Sequence, residues 1–473
     1  MAVPGRMIVL EFNELCAELI AGFMARGLLP GFRALYERSS AFATHAGEAP
    51  PNLEPWIQWP TVHSGMTYAE HGIYDLGDGY RLREKSVAAL LSDAGIPVGI
   101  FGSMNVNYGE LSGYFIPDPW HKLGKASPES LQPFYRVISR QVQESSREDA
   151  FTLPDMAHFG WFMLRNGLTA GTVGAIARQL ASERLDPGVR WRRASVLDDV
   201  QYDLFRRLNA RHRVRFATFF SNSTAHYQHY YWRNMQPEMF TIPPRDDEHG
   251  SLAGAIQHGY QSMDRLIRRA LADYPDATIV LCTALSQRPW TDTTKCTFRP
   301  RSFESLFAFA RLDARSVTVK PVMAEQFHLV FASPDARQRA ESALQDLFLE
   351  DRPLMTVRRE SEDTLFCGCD IIDARLADRI VTRRRDGAQA PFGELFYMIH
   401  SMRSGYHDPR GLLWIGNGRH EVVAEPVSLA DIAPTILQAF NVPKPAHMRG
   451  EALVPRVPRQ ARVAAAPVAA AVH

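Results

Sequence analysis

Short apolar runs alternate with helical stretches along most of this chain, and that alternation restricts its fold more than any other feature. "MIVLEF" begins at Met7 and leads into "ELCAELIAGFMARGLLPGFRALYERS", helical in its spacing and broken where Gly and Pro punctuate it. The rhythm returns in "SVAALLSDAGIPVGIFGS", a helix, a turn and a strand, and in "GYQSMDRLIRRALADYPDA" before the strand "TIVLCTA" (278–284). "VRFATFFS" (214–221) and "GLLWIG" (411–416) add two strands, the second ahead of the helix "LADIAPTILQAF" (429–440). Strands joined through helices pair in parallel, and the helices then cover both faces of the sheet. The expected fold is therefore α/β: a mainly parallel sheet with helices on both faces.

Two stretches break the rhythm. Residues about 125–210 are polar, arginine-rich and helical, and are expected to form a helical insertion. Residues about 300–385 hold "SVTVKPV", "FHLVFAS", the helix "ARQRAESALQDLF" and "LMTVRR", whose strand–strand–helix–strand order predicts a small α+β insertion. One α/β domain then spans 1–455, and the low-complexity 456–473 reads as a disordered tail.

Partners narrow by exclusion. A formal net charge of +1 sets up no field that would draw in nucleic acid, so no nucleic-acid partner is expected. No apolar run reaches the roughly 18 residues of a membrane span. The opening "MAVPGRMIVLEF" is too short in its apolar part for a signal peptide. Five cysteines (Cys16, Cys282, Cys296, Cys367, Cys369) are an odd, sparse set and no disulfide framework. The expected compartment is cytoplasmic. Neither a GxxxxGK[ST] phosphate loop nor a GxGxxG fingerprint is present.

In open α/β sheets ligands bind beyond the carboxyl ends of the strands, and polar residues gather there in this sequence. Glu11 and Asn13 close the first strand; Asn222, His226 and His229 follow the strand 214–221; Leu285, Ser286 and Gln287 follow 278–284; His407 and Asp408 precede 411–416. The stretch "NLEPWIQWPTVHSGMTYAEHGI" (52–73) adds Glu54, Trp56, Gln58, Trp59, His63 and His71, more functional groups than a packed core requires. Each also has a plainer reading. Glu54 is a pocket acid or a helix N-terminal charge, Trp56 and Trp59 a substrate platform or core, and His71 a substrate contact or a loop brace.

Taken in order, these segments resemble the alkaline phosphatase superfamily, nearest to its nucleotide pyrophosphatase/phosphodiesterase and sulfatase-like branches. "IVLEFNEL" with "GLLPGFRALYERS" matches the opening strand, turn and helix of that family; "HSGMTYAEHGI" matches its segment downstream of the nucleophile. "GYHDPRGLLWIGNG" with "SLADIAPTILQAFNVP" matches its C-terminal block. The resemblance spans Met7 to about Leu453 and implies two divalent metals about 4 Å apart beside a hydroxyl or modified-Cys nucleophile. It also implies departures. The opening metal-binding Asp falls on Asn13, the Asp-x-x-x-His pair on Asn222 and His226, the next ligand pair on Ala284 and Leu285, and the C-terminal histidine on His407. The nucleophile falls on or beside Pro55, with Glu54 adjoining it and no hydroxyl.

From these matches the expected site holds at most one divalent metal ion, zinc by ligand type, with Asn222, His226, His229, His407 and Glu11 as ligand candidates. Asn222, His226 and His407 are expected to converge within one coordination shell. Glu54 is the expected general base or carboxylate nucleophile, with Gln58 and His63 as further catalytic candidates and Asn13, Trp56 and His71 toward substrate. Two functions follow: a hydrolase or transferase acting on a small-molecule phosphate or sulfate ester, or a pseudoenzyme that binds a ligand or partner through the same pocket.

Overall fold

The structure, a computed structural model, describes residues 5–107, 110–143, 153–241, 243–244, 246, 248–291, 297–321, 326–373, 379–398 and 404–453. The tail 456–473 and Cys296 lie outside the described residues.

The first strand, Met7–Phe12, is buried at every position, as a strand must be when parallel partners flank it and helices cover both faces. Phe216–Ser221 pairs with it on one side and Thr278–Thr283 on the other, both parallel, with Met7 opposite Phe216 and Thr278. The full sheet has eight strands in the order Glu421–Ser428, Ser39–His45, Arg410–Gly416, Thr278–Thr283, Met7–Phe12, Phe216–Ser221, Val98–Phe101, Tyr114–Ile116. Arg410–Gly416 runs antiparallel to both its neighbours, and the other pairings are parallel. The fold is the expected mainly parallel α/β sheet.

Side-chain alternation builds two cores from this strand. Ile8, Leu10 and Phe12 face helices Ala17–Ala25, Pro30–Tyr36, Arg193–Arg211 and Ala255–Asp273, through Phe23, Phe32, Phe205 and Met263. Met7 and Val9 face helices Pro55–Ser64, Val87–Asp93 and Ile432–Ala439, through Trp59, Leu91 and Leu437. Glu11 has the same parity as Met7 and Val9, so its carboxyl lies on the side of the second core, with Trp59 and His63.

Among the described residues between the strands Tyr114–Ile116 and Phe216–Ser221 lie the α-helices Gln132–Gln143, Leu153–Arg165, Ala170–Leu185 and Arg193–Arg211. After Thr278–Thr283 the chain forms two four-stranded antiparallel sheets around helix Pro334–Gln345, with a core of their own that includes Phe327, Leu329, Leu344 and Leu365. Among the described residues no helix is long and apolar enough to cross a membrane.

One buried chain of hydrogen bonds ties the end of the first strand to two helices. Gln228, on helix Ser223–Met235, donates from Nε2 to the Glu14 carbonyl (2.7 Å). The Tyr260 hydroxyl, on helix Ala255–Asp273, donates to Gln228 Oε1 (2.5 Å) and accepts from the Cys16 amide (2.8 Å). Tyr260→Phe strands both partners without opening a large cavity. Leaving buried polar groups unsatisfied costs about 1–3 kcal/mol. Urea unfolding should show that loss as a lower midpoint at unchanged m; an unshifted midpoint refutes it.

Candidate functional site

Beyond Phe12 the chain makes one last sheet-like contact, the Asn13 amide donating to the Ser221 carbonyl (3.0 Å), and then turns at Glu14. Glu14 has a φ of +60°, uncommon for a residue with a Cβ, and Gln228 pins its carbonyl. Its side chain is buried. The carboxylate receives an N–H from Asn13 Nδ2 on Oε1 (2.7 Å) and from Gln287 Nε2 on Oε2.

Two imidazoles face the same carboxylate. His229 Nε2 lies 3.1 Å and His407 Nε2 3.5 Å from Glu14 Oε2. His229 comes from helix Ser223–Met235, while His407 comes from the strand Gly405–Asp408, which pairs antiparallel with Ser286–Pro289 and sets His407 opposite Gln287. Gly405 makes that approach possible: a Cβ there would meet Gln287 Oε1 at 2.3 Å and the Gln228 carbonyl at 2.6 Å. Glu54 completes the group, its Oε2 3.3 Å from His407 Nδ1. It is the N-cap residue of helix Pro55–Ser64, whose left-handed stop at Gly65 (φ +65°) ends the segment.

The protonation pattern follows from the partners. His229 Nδ1 lies 3.1 Å from the Gly405 carbonyl, which can only accept, so Nδ1 carries the ring proton. In the neutral ring the Nε2 lone pair then points at a carboxylate oxygen, acceptor against acceptor. Positive charge belongs between them, either a second ring proton or a cation. Burial alone would push the Glu14 carboxyl up, yet His407 and His229 outweigh it and hold the group well below the usual carboxylate range.

The residues present fit one divalent cation. Glu14, His229 and His407 each offer a ligand atom, and these atoms lie within 4.8 Å of one another. One carboxylate and two imidazoles are donors that zinc accepts, and three protein ligands leave a position open. The carbonyl on His229 and the carboxylate on His407 are the outer partners that metal-binding imidazoles ordinarily have. Glu14 had no place in the sequence-derived ligand set. Its signal was weak: an acid one residue past the family's Asp position, brought into the site by a turn that only the structure reveals.

The other sequence-derived candidates are employed differently. His226, expected beside His407, is absent from this cluster; it is exposed and lies among the rings of Tyr227, Tyr230 and Tyr231, 4.7 Å from Tyr230. His229 takes the ligand place because the helix turns by about 100° per residue, so a step of three does not keep one direction. The side-chain Oδ1 of Asn222 accepts from Asn13 Nδ2 (2.8 Å). Glu11 is no part of the cluster either: its Oε2 accepts from the Ser103 hydroxyl (2.6 Å) and its Oε1 lies 3.4 Å from His63 Nε2. His63 is thereby a buried partner of Glu11, stacked on Trp59. Gln58 Nε2 donates to the Asn52 carbonyl (3.0 Å) and braces the turn before its helix. Trp56 is half-buried against the core, and its carbonyl accepts from Asn105 Nδ2 (2.9 Å). At His71, Nδ1 accepts the Ile73 amide (3.0 Å), so Nε2–H faces the Thr61 hydroxyl (3.2 Å), and the ring braces its own loop.

Ala284 and Leu285 are fully buried, and the Asn13 amide is engaged at both ends, since Trp59 Nε1 donates to its Oδ1 (2.9 Å).

No family model and no curated protein matches this chain. Among solved structures it is similar to a variant of the alkaline phosphatase PafA, with a TM-score of 0.46 and 12% identity over 96% of this chain and 99% of that one. It is also similar to murine ectonucleotide pyrophosphatase/phosphodiesterase 5, with a TM-score of 0.41 and 9% identity over 93% and 96%. The human counterpart gives 0.40 and 9% over 94% and 97%. The resemblance to the alkaline phosphatase superfamily is one of overall architecture along nearly the whole chain. Likeness of this depth carries no argument about activity, which has to come from the site itself.

Burial pushes the Glu11 carboxyl from 4.5 up to about 8, against the Ser103 hydrogen bond, and burial pushes His63 down to about 3. Between pH 6.5 and 8 folded His63 is neutral and its titration in the unfolded chain is common to parent and variant, while Glu11 keeps its proton only in the folded chain. Stability from this group is thus complete at low pH and is lost as pH rises through about 8. Its slope approaches about 1.4 kcal/mol per pH unit. Glu11→Gln should remove that slope, so the variant gains on the parent from pH 6.5 to 8 in urea unfolding; parallel profiles refute it.

Proposed function

We propose that this chain is a hydrolase of phosphate or sulfate esters working with a single divalent cation, zinc by donor type, held by Glu14, His229 and His407. The supporting observation is the meeting of one buried carboxylate and two imidazoles at the carboxyl ends of the strands, with a second carboxylate, Glu54, against His407. When bound, the cation supplies Lewis-acid stabilisation of charge on the ester oxygens.

The remaining work falls to side chains. Asn13 and Gln287 hold Glu14 through one N–H on each oxygen, and the Gly405 carbonyl orients His229. Glu54 sits at the N-terminus of helix Pro55–Ser64, where the helix dipole favours its ionised form. It takes the proton of the water that attacks phosphorus or sulfur, the ester P–O or S–O bond to the alcohol breaks, and the proton passes to the departing alcohol oxygen, while His407 Nδ1–H orients the carboxylate for that transfer. This base replaces the hydroxyl nucleophile that the resembling family has at the same loop.

Binding without turnover is the competing reading, and one observation favours it: Ala284 and Leu285 remove the ligands of a second cation. The readings separate on Glu54→Gln, which keeps the side-chain shape and loses the base. Under the hydrolase reading, a screen of phosphomonoesters, phosphodiesters and sulfate esters yields a substrate, and Glu54→Gln lowers its turnover by about 100-fold or more. Zinc analysis of parent and variant should give no more than one tightly held ion per chain in both. A turnover unchanged in Glu54→Gln removes Glu54 from the mechanism, and two ions per chain overturn the single-cation site.

A further inference from the structure

The orientation of three neighbouring side chains is fixed by hydrogen-bond chemistry. Trp59 Nε1 can only donate, and it meets Asn13 Oδ1 at 2.9 Å. Asn13 Nδ2 must then face the other way, where it meets two acceptors, Glu14 Oε1 (2.7 Å) and Asn222 Oδ1 (2.8 Å). A flipped Asn13 would set N–H against N–H at Trp59 and oxygen against oxygen at Glu14. The same reasoning extends to Asn222: its Oδ1 is committed to Asn13, so its Nδ2 points away from that contact. Asn222 is exposed, makes no side-chain cap at the start of helix Ser223–Met235, and shares the Asn13 nitrogen with Glu14.

We infer that Asn222 is a substrate-binding residue, whose Nδ2–H groups receive the non-bridging oxygens of an anionic ester. Asn13 and Trp59 are positioning residues that lock its amide in the donating orientation. Two positions that would bind metals in the resembling family serve here as a relay of N–H donors. The inference rests on the hydrolase reading, in which the cleft beside Glu14 takes the ester. Neutral donors suit this place. Glu14 and Glu54 already supply two negative charges, and an acid at position 222 would add a third facing the anion.

The test titrates inorganic phosphate, and separately sulfate, into the parent protein with and without one equivalent of zinc, and repeats this for Asn222→Asp, Asn222→Ala and Trp59→Phe. Calorimetry should show at least a tenfold loss of phosphate affinity in Asn222→Asp and a smaller loss in Asn222→Ala, with zinc stoichiometry unchanged in both. Phosphate added to ¹⁵N-labelled parent protein should shift the Asn222 side-chain amide signals. Trp59 is fully buried, so Trp59→Phe counts only where its unfolding midpoint is preserved; it then weakens phosphate binding and retains zinc. Phosphate affinity unaltered by Asn222→Asp overturns the inference and leaves the single-cation reading standing, as does a parent protein that binds zinc but neither anion. Phosphate binding that depends on Asn222 in a protein that holds no zinc supports the inference and overturns the single-cation reading instead.

Discussion

A buried carboxylate with two imidazoles against it is the constraint on which the site depends. Glu14 would be costly to bury as an anion in an apolar interior, and its partners are what make the ionised form tenable. Its neighbours are organised around that requirement. Asn13 and Gln287 put one N–H on each oxygen, Gln228 holds the backbone in its left-handed turn, and Tyr260 holds Gln228. Gly405 has no side chain because the amide of Gln287 occupies the space one would need.

The electrostatics of the cleft follow from which of the residues at the strand ends carry charge. Charged ligands at the ends of the strands repel one another unless cations lie between them. In this chain Asn13 and Asn222 bring neutral amides to the strand ends, and Ala284 and Leu285 are buried there. Negative charge is concentrated instead on Glu14 and Glu54, either side of His407. A single positive centre balances such an arrangement better than two.

Deeper in the sheet, Glu11 shows a different solution to burial. It faces Ser103 and His63 in the core that holds Trp59, and with its proton retained and His63 neutral the pair adds no net charge there. Only Phe12 and Asn13 separate Glu11 from Glu14, yet one carboxyl is held protonated and the other ionised. Their local partners account for the difference: a hydroxyl and a desolvated imidazole for Glu11, two imidazoles in a half-open cleft for Glu14.

The amino-acid pattern by itself determined the α/β class, the mainly parallel sheet, both insertions' composition and the gathering of polar residues at strand ends. Those properties follow from periodicity and chain connectivity, which are local and repeat along the sequence. His229 and His407 were legible as site residues for the same reason: each adjoins a strand end. Tertiary structure alone decided which groups meet. Glu14 enters through one positive φ, which no residue spacing encodes. His229 and not His226 faces the carboxylate because of the phase of one helix. Glu11 stays out of the site because it lies within the strand, deeper than the turn at Glu14, where Ser103 and His63 occupy its carboxyl. The direction of the Asn13 and Asn222 amides, finally, was set by donors and acceptors brought together from segments 46 and 209 positions apart, and a hydrogen bond exists only where both partners are present in space.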